Sequence, residues 1–258
     1  TTAIGEQKTI ELADRSTVLL NTDTRIRVTI DRQQRRVELL RGDAHFAVAH
    51  NSDKPFDVLA GEAMVRAVGT AFSVHLKRAD INVVVTEGVV AIDKQPALLQ
   101  QLAQSPQEAL VTTAEIPGGG ISNDKALPMV LTVAQQAAVA DLGAAMQLVS
   151  AGNQAAFDVA LSEPIQLSEV ESIEDTLAWH RAMLVFKGEP LADVVEEVSR
   201  YTAMKIVIPE RETRQLKVGG LFKVGDTQSM FEALYDGFGI KAEYVSDNVV
   251  MLIMDERR

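Results

Sequence analysis

The 258-residue sequence predicts a mainly β N-terminal domain, solenoid-like or sandwich-like and built of short strands, followed by a small α+β domain of two βαβ repeats. Three observations predict it. Period-two apolar patterns recur from residue 8 to 92, helical spacing takes over beyond Leu177, and apolar positions in that last part recur at a fixed separation.

Strands are predicted over Thr17 to Leu20, Arg25 to Ile30, Arg35 to Leu40, Ala44 to Val48 and Ala63 to Val68. The turns between them carry Asp, Asn and Gly, as in Asn21-Thr22-Asp23, Arg41-Gly42-Asp43 and Glu87-Gly88. In the next strand Phe72, Val74 and Leu76 share one face, with Ser73 and His75 on the other. Half of each strand is committed to a core.

Residues 94 to 128 read as a variable, partly mobile segment: a short helix over Ala97 to Gln104, then three prolines and Gly118-Gly119-Gly120 between Ser105 and Pro128. From Met129 to Leu167 the pattern fits short strands and helix about equally well. The first domain is placed at 1–176 and the second at 177–258.

In the second, Leu191, Val194, Val195, Val198 and Tyr201 follow the spacing of an amphipathic helix, with Pro190 at its first turn. Lys205 to Ile208 is a strand stopped by Pro209, and Leu216 to Val224 is another. Asp226 caps a second helix that carries Met230, Phe231, Leu234, Tyr235 and Phe238, and Gly237 or Gly239 ends it. Val194, Val198, Met204 and Lys205 match Met230, Leu234, Ile240 and Lys241, each 234 − 198 = 36 residues on. With Leu184 to Lys187 as the strand before the first helix, this is a doubled βαβ unit, extended by Asn248 to Met254.

Composition excludes several classes of function. A net charge of −11 and a pI near 4.9 argue against nucleic-acid binding. The absence of cysteine removes disulfides, thiolate metal sites and cysteine nucleophiles. No run approaches the ~18 apolar residues of a membrane span, so the chain reads as cytosolic or as the soluble part of something longer.

Specific chemistry is sparse. His45, His50, His75 and His180 show no metal-site spacing and are expected on the surface. Carboxylate groupings such as Glu196-Glu197 or Glu169, Glu171, Glu174 and Asp175 read as solvated faces, and no phosphate loop follows the glycine triplet. Arg25, Arg27, Arg32, Arg35, Arg36 and Arg41 cluster on one strand pair and read as a solvated face, with anionic lipid heads or an acidic partner as the alternative. Trp179, the single tryptophan, reads as an anchor at the domain boundary.

Several segments together resemble a known family. Leu177-Ala178-Trp179, Leu184-Val185-Phe186, Pro190-Leu191, Val194-Val195-Glu196-Glu197-Val198, Arg200-Tyr201 and Gly220-x-Phe222 are similar to the C-terminal periplasmic region of FecR-type transmembrane anti-sigma regulators. Upstream, Leu12-Ala13-Asp14-x-Ser16, Val37-Glu38-Leu39-Leu40-x-Gly42-Asp43-Ala44-x-Phe46, Pro55-Phe56, Val68-Gly69-Thr70-x-Phe72-x-Val74 and Glu87-Gly88-x-Val90 resemble that family's β-rich FecR domain. Ala134 and Ala182 stand where the family pattern usually has glycine, and the stretch 94–128 is longer than the pattern. The doubled βαβ region also resembles the secretin and TonB short N-terminal domain.

The resemblance implies a non-enzymatic function: the periplasmic, soluble part of a single-pass inner-membrane regulator. Such a part binds the signalling domain of a TonB-dependent outer-membrane receptor and relays iron-chelate uptake to an extracytoplasmic-function sigma factor through a cytoplasmic segment, with site proteases as further partners. No catalytic residue, cofactor, metal or nucleic acid is expected. Docking by strand addition is expected at one of two sheet edges. The first is Leu216, Val218, Gly219, Gly220, Leu221 and Phe222, where the glycines leave room for a second backbone; the second is Val249, Val250 and Leu252. The competing readings are a periplasmic glycan- or peptidoglycan-binding module and, below it, a carboxylate-dependent hydrolase.

Overall fold

A computed structural model of the chain describes residues 1–77, 80–94, 146–158 and 164–255. The helix expected over Ala97 to Gln104 and the segment through Pro128 lie outside these residues, as does Ala134.

The chain is mainly β. Strands β1 (Lys8–Glu11) and β2 (Thr17–Leu20) form a hairpin, and β3 (Arg25–Ile30) pairs with the first half of the 13-residue β4 (Arg35–Ala47). Five strands follow: β5 (Phe56–Ala60), β6 (Ala63–Ala67), β7 (Ala71–Lys77), β8 (Asp80–Glu87) and β9 (Val89–Asp93). Beyond the undescribed stretch come β10 (Gln147–Ser150), β11 (Asn153–Asp158) and β12 (Gln166–Glu169), so the described part of the ambiguous region is strand.

Two layers result. One runs β3-β4-β5-β6-β9-β10 and the other β1-β2-β4-β7-β8-β11-β12, with β4 belonging to both. Among the described residues, only the β4–β5 pairing is parallel within this sheet. This is the sandwich-like alternative, because a solenoid stacks parallel coils whereas here one long strand bends from layer to layer.

The bend has a local cause. Val37 and Leu39 are buried in the first half of β4, Ala44 and Phe46 in the second, so the inward-facing parity changes between them. A register shift opposite Arg25 and Ile26 accommodates the change. Gly42 sits in the bend at φ +86°, and a Cβ there would fall 2.7 Å from the Thr24 Cα, so both conformation and space require glycine. Phe46, Phe56 and Phe72 fill the core between the layers, with the Phe46 and Phe72 rings stacked at 5.3 Å.

Arg25, Arg27, Arg32 and Arg41 are exposed, as the solvated-face reading has it, but Arg35 departs from it. Arg35 is buried and donates to the carbonyls of Ala49, Asn51 and Lys54 and to the Asp14 carboxylate, pinning the Asp14–Ser16 turn. Arg27 pairs with Glu38 and Arg41 with Asp23. Strand alternation alone does not reveal that an arginine at a strand start folds inward to satisfy loop carbonyls.

The second body starts with one helical turn, α1 (Ile173–Thr176), capped by Ser172, and a 3-10 turn at Ala178–Arg181. Then come β13 (Met183–Pro190), α2 (Leu191–Ser199), β14 (Lys205–Val207), α3 (Arg211–Arg214), β15 (Lys217–Lys223), α4 (Thr227–Phe238), β16 (Ile240–Ser246) and β17 (Val249–Met254). The two main helices start 227 − 191 = 36 residues apart, matching the repeat in the sequence. Asp226 caps α4 by accepting from the Ser229 N–H at 3.1 Å, and Gly239 ends it in the left-handed conformation. Pro190 closes β13 and precedes α2 instead of lying within its first turn.

These elements make an antiparallel pair β13–β15 and a three-stranded sheet ordered β14-β17-β16. Their core is separate from the first: Leu191, Val194, Val198, Met230, Leu234, Ile240, Val250 and Leu252 are among its buried residues.

Candidate docking edges and the junction between the bodies

In β15 the alternation is simple. Val218 is buried, Phe222 leans on Phe186 with ring centroids 5.9 Å apart, and Gly220 lies beneath the Phe222 ring on the same face. Lys217, Gly219, Leu221 and Lys223 face outward, with Leu221 63% exposed. Leu216 precedes the strand, packs against the core and accepts the Leu191 N–H through its carbonyl at 2.8 Å.

Two backbone hydrogen bonds set the phase of this ladder: Leu191 N–H to Leu216 C=O at 2.8 Å and Val224 N–H to Ala182 C=O at 2.9 Å. Amide direction alternates along a strand, so the even-numbered residues of β15 bond to β13 and Gly219, Leu221 and Lys223 turn their N–H and C=O outward. Both bonds give the same phase across the bulge at Lys187 and Glu189. Among the described residues, no other strand pairs with β15. Gly219 is not demanded by the fold: its φ is ordinary and an added Cβ would meet nothing closer than 3.5 Å.

The second expected edge is not an edge. Val249, Val250 and Leu252 belong to β17, which has β14 parallel on one side and β16 antiparallel on the other. Val250 and Leu252 are fully buried. Both sides of the β17 backbone are occupied, so a partner strand has no place to add. The continuous apolar run Val249-Val250-Met251-Leu252-Ile253-Met254 is the signature of an interior strand and was the available signal.

Where the two bodies meet, a polar network forms that sequence reading did not anticipate. Asp43, at the bend of β4, is nine-tenths buried and accepts at one carboxylate oxygen from Arg200 at 2.8 Å and from Asn21 at 3.2 Å, with the His75 ring nitrogen also 3.2 Å away. Asn21 donates in addition to the Tyr201 hydroxyl at 2.6 Å, Thr22 to the Arg200 carbonyl at 2.8 Å and Gln7 to the Trp179 carbonyl at 2.7 Å. Lys77 pairs with Glu196 across the same boundary. Arg200 and Tyr201 follow α2, so the end of that helix is fastened to β2, β4 and β7.

The electrostatics follow from burial and pairing. Burial pushes the Asp43 carboxyl up, but the His75 hydrogen bond and the Arg200 charge outweigh it and hold it below the ordinary aspartate value. Arg200 is burdened by desolvation too, yet Asp43 and Glu197 raise its affinity for its proton. Burial first, then the Glu197 and Asp43 charges, push the Tyr201 hydroxyl up and keep it neutral.

The histidines differ from expectation. His50 is exposed, but His45 and His180 meet edge to face at 4.6 Å, with Trp179 against His180 at 4.2 Å. Burial, then the neighbouring His180, holds His45 down to about 4. The strand faces bearing His45 and His75 point away from the first core, as expected, but the second body covers them. Among the described residues no group of three or more potential ligands could hold a metal ion.

Residues 1–91 match the family model described as FecR protein, so the expected resemblance holds over that span. No curated protein matches the chain. Two crystal structures of a candidate anti-sigma factor from Parabacteroides distasonis, at 1.65 and 2.50 Å, share its fold. Each superposes with a TM-score of 0.68 at 19% identity, covering 99% of this chain and 98% of that one.

Proposed function

We propose that this chain, with a FecR domain over residues 1–91, is the signal-receiving part of an anti-sigma regulator, non-enzymatic and periplasmic. On this reading residues 1–176 are the FecR-type domain and 177–258 a secretin/TonB short N-terminal-like domain. The second docks the signalling domain of a TonB-dependent outer-membrane receptor. Receptor occupancy is then relayed to an extracytoplasmic-function sigma factor through a segment on the far side of the inner membrane, with site proteases acting along the way. The shared fold with a candidate anti-sigma factor over nearly the whole chain supports the regulator reading.

The observation that carries the docking site is β15. Gly219 and Leu221 present unpaired backbone groups on an outer strand, Leu221 stands exposed beside them, and the fold itself gives no reason for glycine at 219. A strand from the partner would bond to those groups and cover Leu221.

Calorimetry against candidate receptor signalling domains tests it, comparing the wild type with Leu221→Pro, which removes an outward N–H without touching the β13 ladder. Affinity falling about tenfold or more, on the order of 1.4 kcal/mol, is expected; unchanged affinity rules the edge out.

A further inference from the structure

Among the described residues, the second body has another strand edge that no strand pairs with. β16 is the outer strand of its sheet, and the Asp255 N–H to Gly239 C=O bond at 2.8 Å fixes its phase. By alternation the odd-numbered residues bond to β17, and Ala242 turns its N–H and C=O to the open side.

A groove of about 350 Å³ runs along that open side. One wall is a single face of α4, with Glu232 and Tyr235 one turn apart, and the other is β16 itself, with Ala242 and Tyr244; no β17 residue lines it. A free strand edge beside a helix is the geometry in which an extended peptide adds to a sheet while its alternate side chains contact the helix. Tyr244 and Val245 are 57% and 60% exposed, and Tyr235 is exposed on the facing helix.

Charge selects the occupant. Glu232 and Asp236 line the helical wall and Asp247 lies just beyond β16, while the charges of Lys241 and Glu243 offset each other as an ion pair. A second copy of this chain, with net charge −11, would bring two acidic rims together. We propose that the α4–β16 groove binds an extended, basic peptide segment of a partner protein, lysine or arginine alternating with apolar residues, by strand addition to β16. The site involves neither β15 nor the receptor reading.

The probe is a capped peptide alternating lysine with valine and carrying a fluorophore, titrated into the full chain by anisotropy. Saturable binding is expected. It should weaken about tenfold or more with Ala242→Pro, which removes the outward N–H, and with Tyr244→Lys or Glu232→Lys, which reverse the chemistry of the walls while leaving the backbone intact. Leu221→Pro should leave it unchanged. The same peptide N-methylated at alternate residues keeps its charge and loses its strand donors, and should not bind. Absence of binding by the unmodified peptide overturns the proposal, as does equal binding by the N-methylated peptide, which would mean charge alone. So does a dimer in sedimentation that Ala242→Pro dissociates, which would make a second copy the occupant.

Discussion

Arg200, in the turn after α2, places its guanidinium 2.8 Å from the carboxylate of Asp43, 157 positions earlier in the chain and in the other body. The pair is mostly buried, with side-chain exposures of 20% and 10%. It ties the helix that begins where β13 ends, and so the β13–β15 pair, to the bend of β4.

Removing one member should be costly. Arg200→Met leaves Asp43 buried without its cation and is expected to destabilise the chain by about 2–4 kcal/mol. Adding Asp43→Asn should restore part of that, because the stranded charge is gone. Denaturant unfolding of both singles and the double checks it, and strictly additive losses would show that the residues do not interact.

Stability should fall on mild acidification. In the unfolded chain a histidine titrates near ~6.5, whereas His45 in the fold is held down to about 4. Between those values the unfolded chain takes up a proton that the folded chain refuses, so stability is full above about pH 6.5 and declines toward pH 4. Below that, the lowered Asp43 adds a further loss as its ion pair with Arg200 is protonated away. Urea midpoints across this range should show the decline, and His45→Phe should flatten its upper part by about 1 kcal/mol.

Ala182 occupies a left-handed position, φ 55° and ψ 39°, ending the 3-10 turn before β13. A Cβ is unfavourable there and glycine is not. Ala182→Gly is expected to stabilise the chain by about 0.5–1 kcal/mol, read as a raised melting temperature with unchanged spectra.

Two prolines in β15 should behave oppositely. Val218 is buried and bonds to β13, so Val218→Pro should cost about 3 kcal/mol or more. Leu221→Pro removes an N–H that points outward and should cost much less. Thermal unfolding of the two variants checks the phase of the ladder independently of any partner; equal losses would mean the outward assignment of Leu221 is wrong.

Local signals were legible where chemistry is local. The 36-residue repeat, Asp226 as a cap, a glycine stop at 237 or 239 and the strands at 17–20, 25–30 and 63–67 follow from spacing and turn residues, whereas the two strands read on either side of Arg41-Gly42-Asp43 are one, β4. Strand order was not legible in this way. Val249 to Met254 and Leu216 to Phe222 both read as strands, and the unbroken apolar run of the first was the one sequence hint of the interior position that its pairing with β14 and β16 establishes. The junction was hidden for a related reason. Asn21, Asp43, His75, Arg200 and Tyr201 are ordinary polar residues until the second body covers the outer faces of β4 and β7. Ala182 was visible as a departure from the family pattern, and its positive φ gives that departure a physical meaning.

Amide hydrogen exchange at Gly219 and Leu221, measured on the full chain with and without the cognate receptor signalling domain, tests the docking edge most directly. Strand addition predicts that these outward amides, fast in the free chain, slow markedly in the complex, while the even-numbered amides of β15 change little. A complex that forms while Gly219 and Leu221 exchange as fast as before would contradict it.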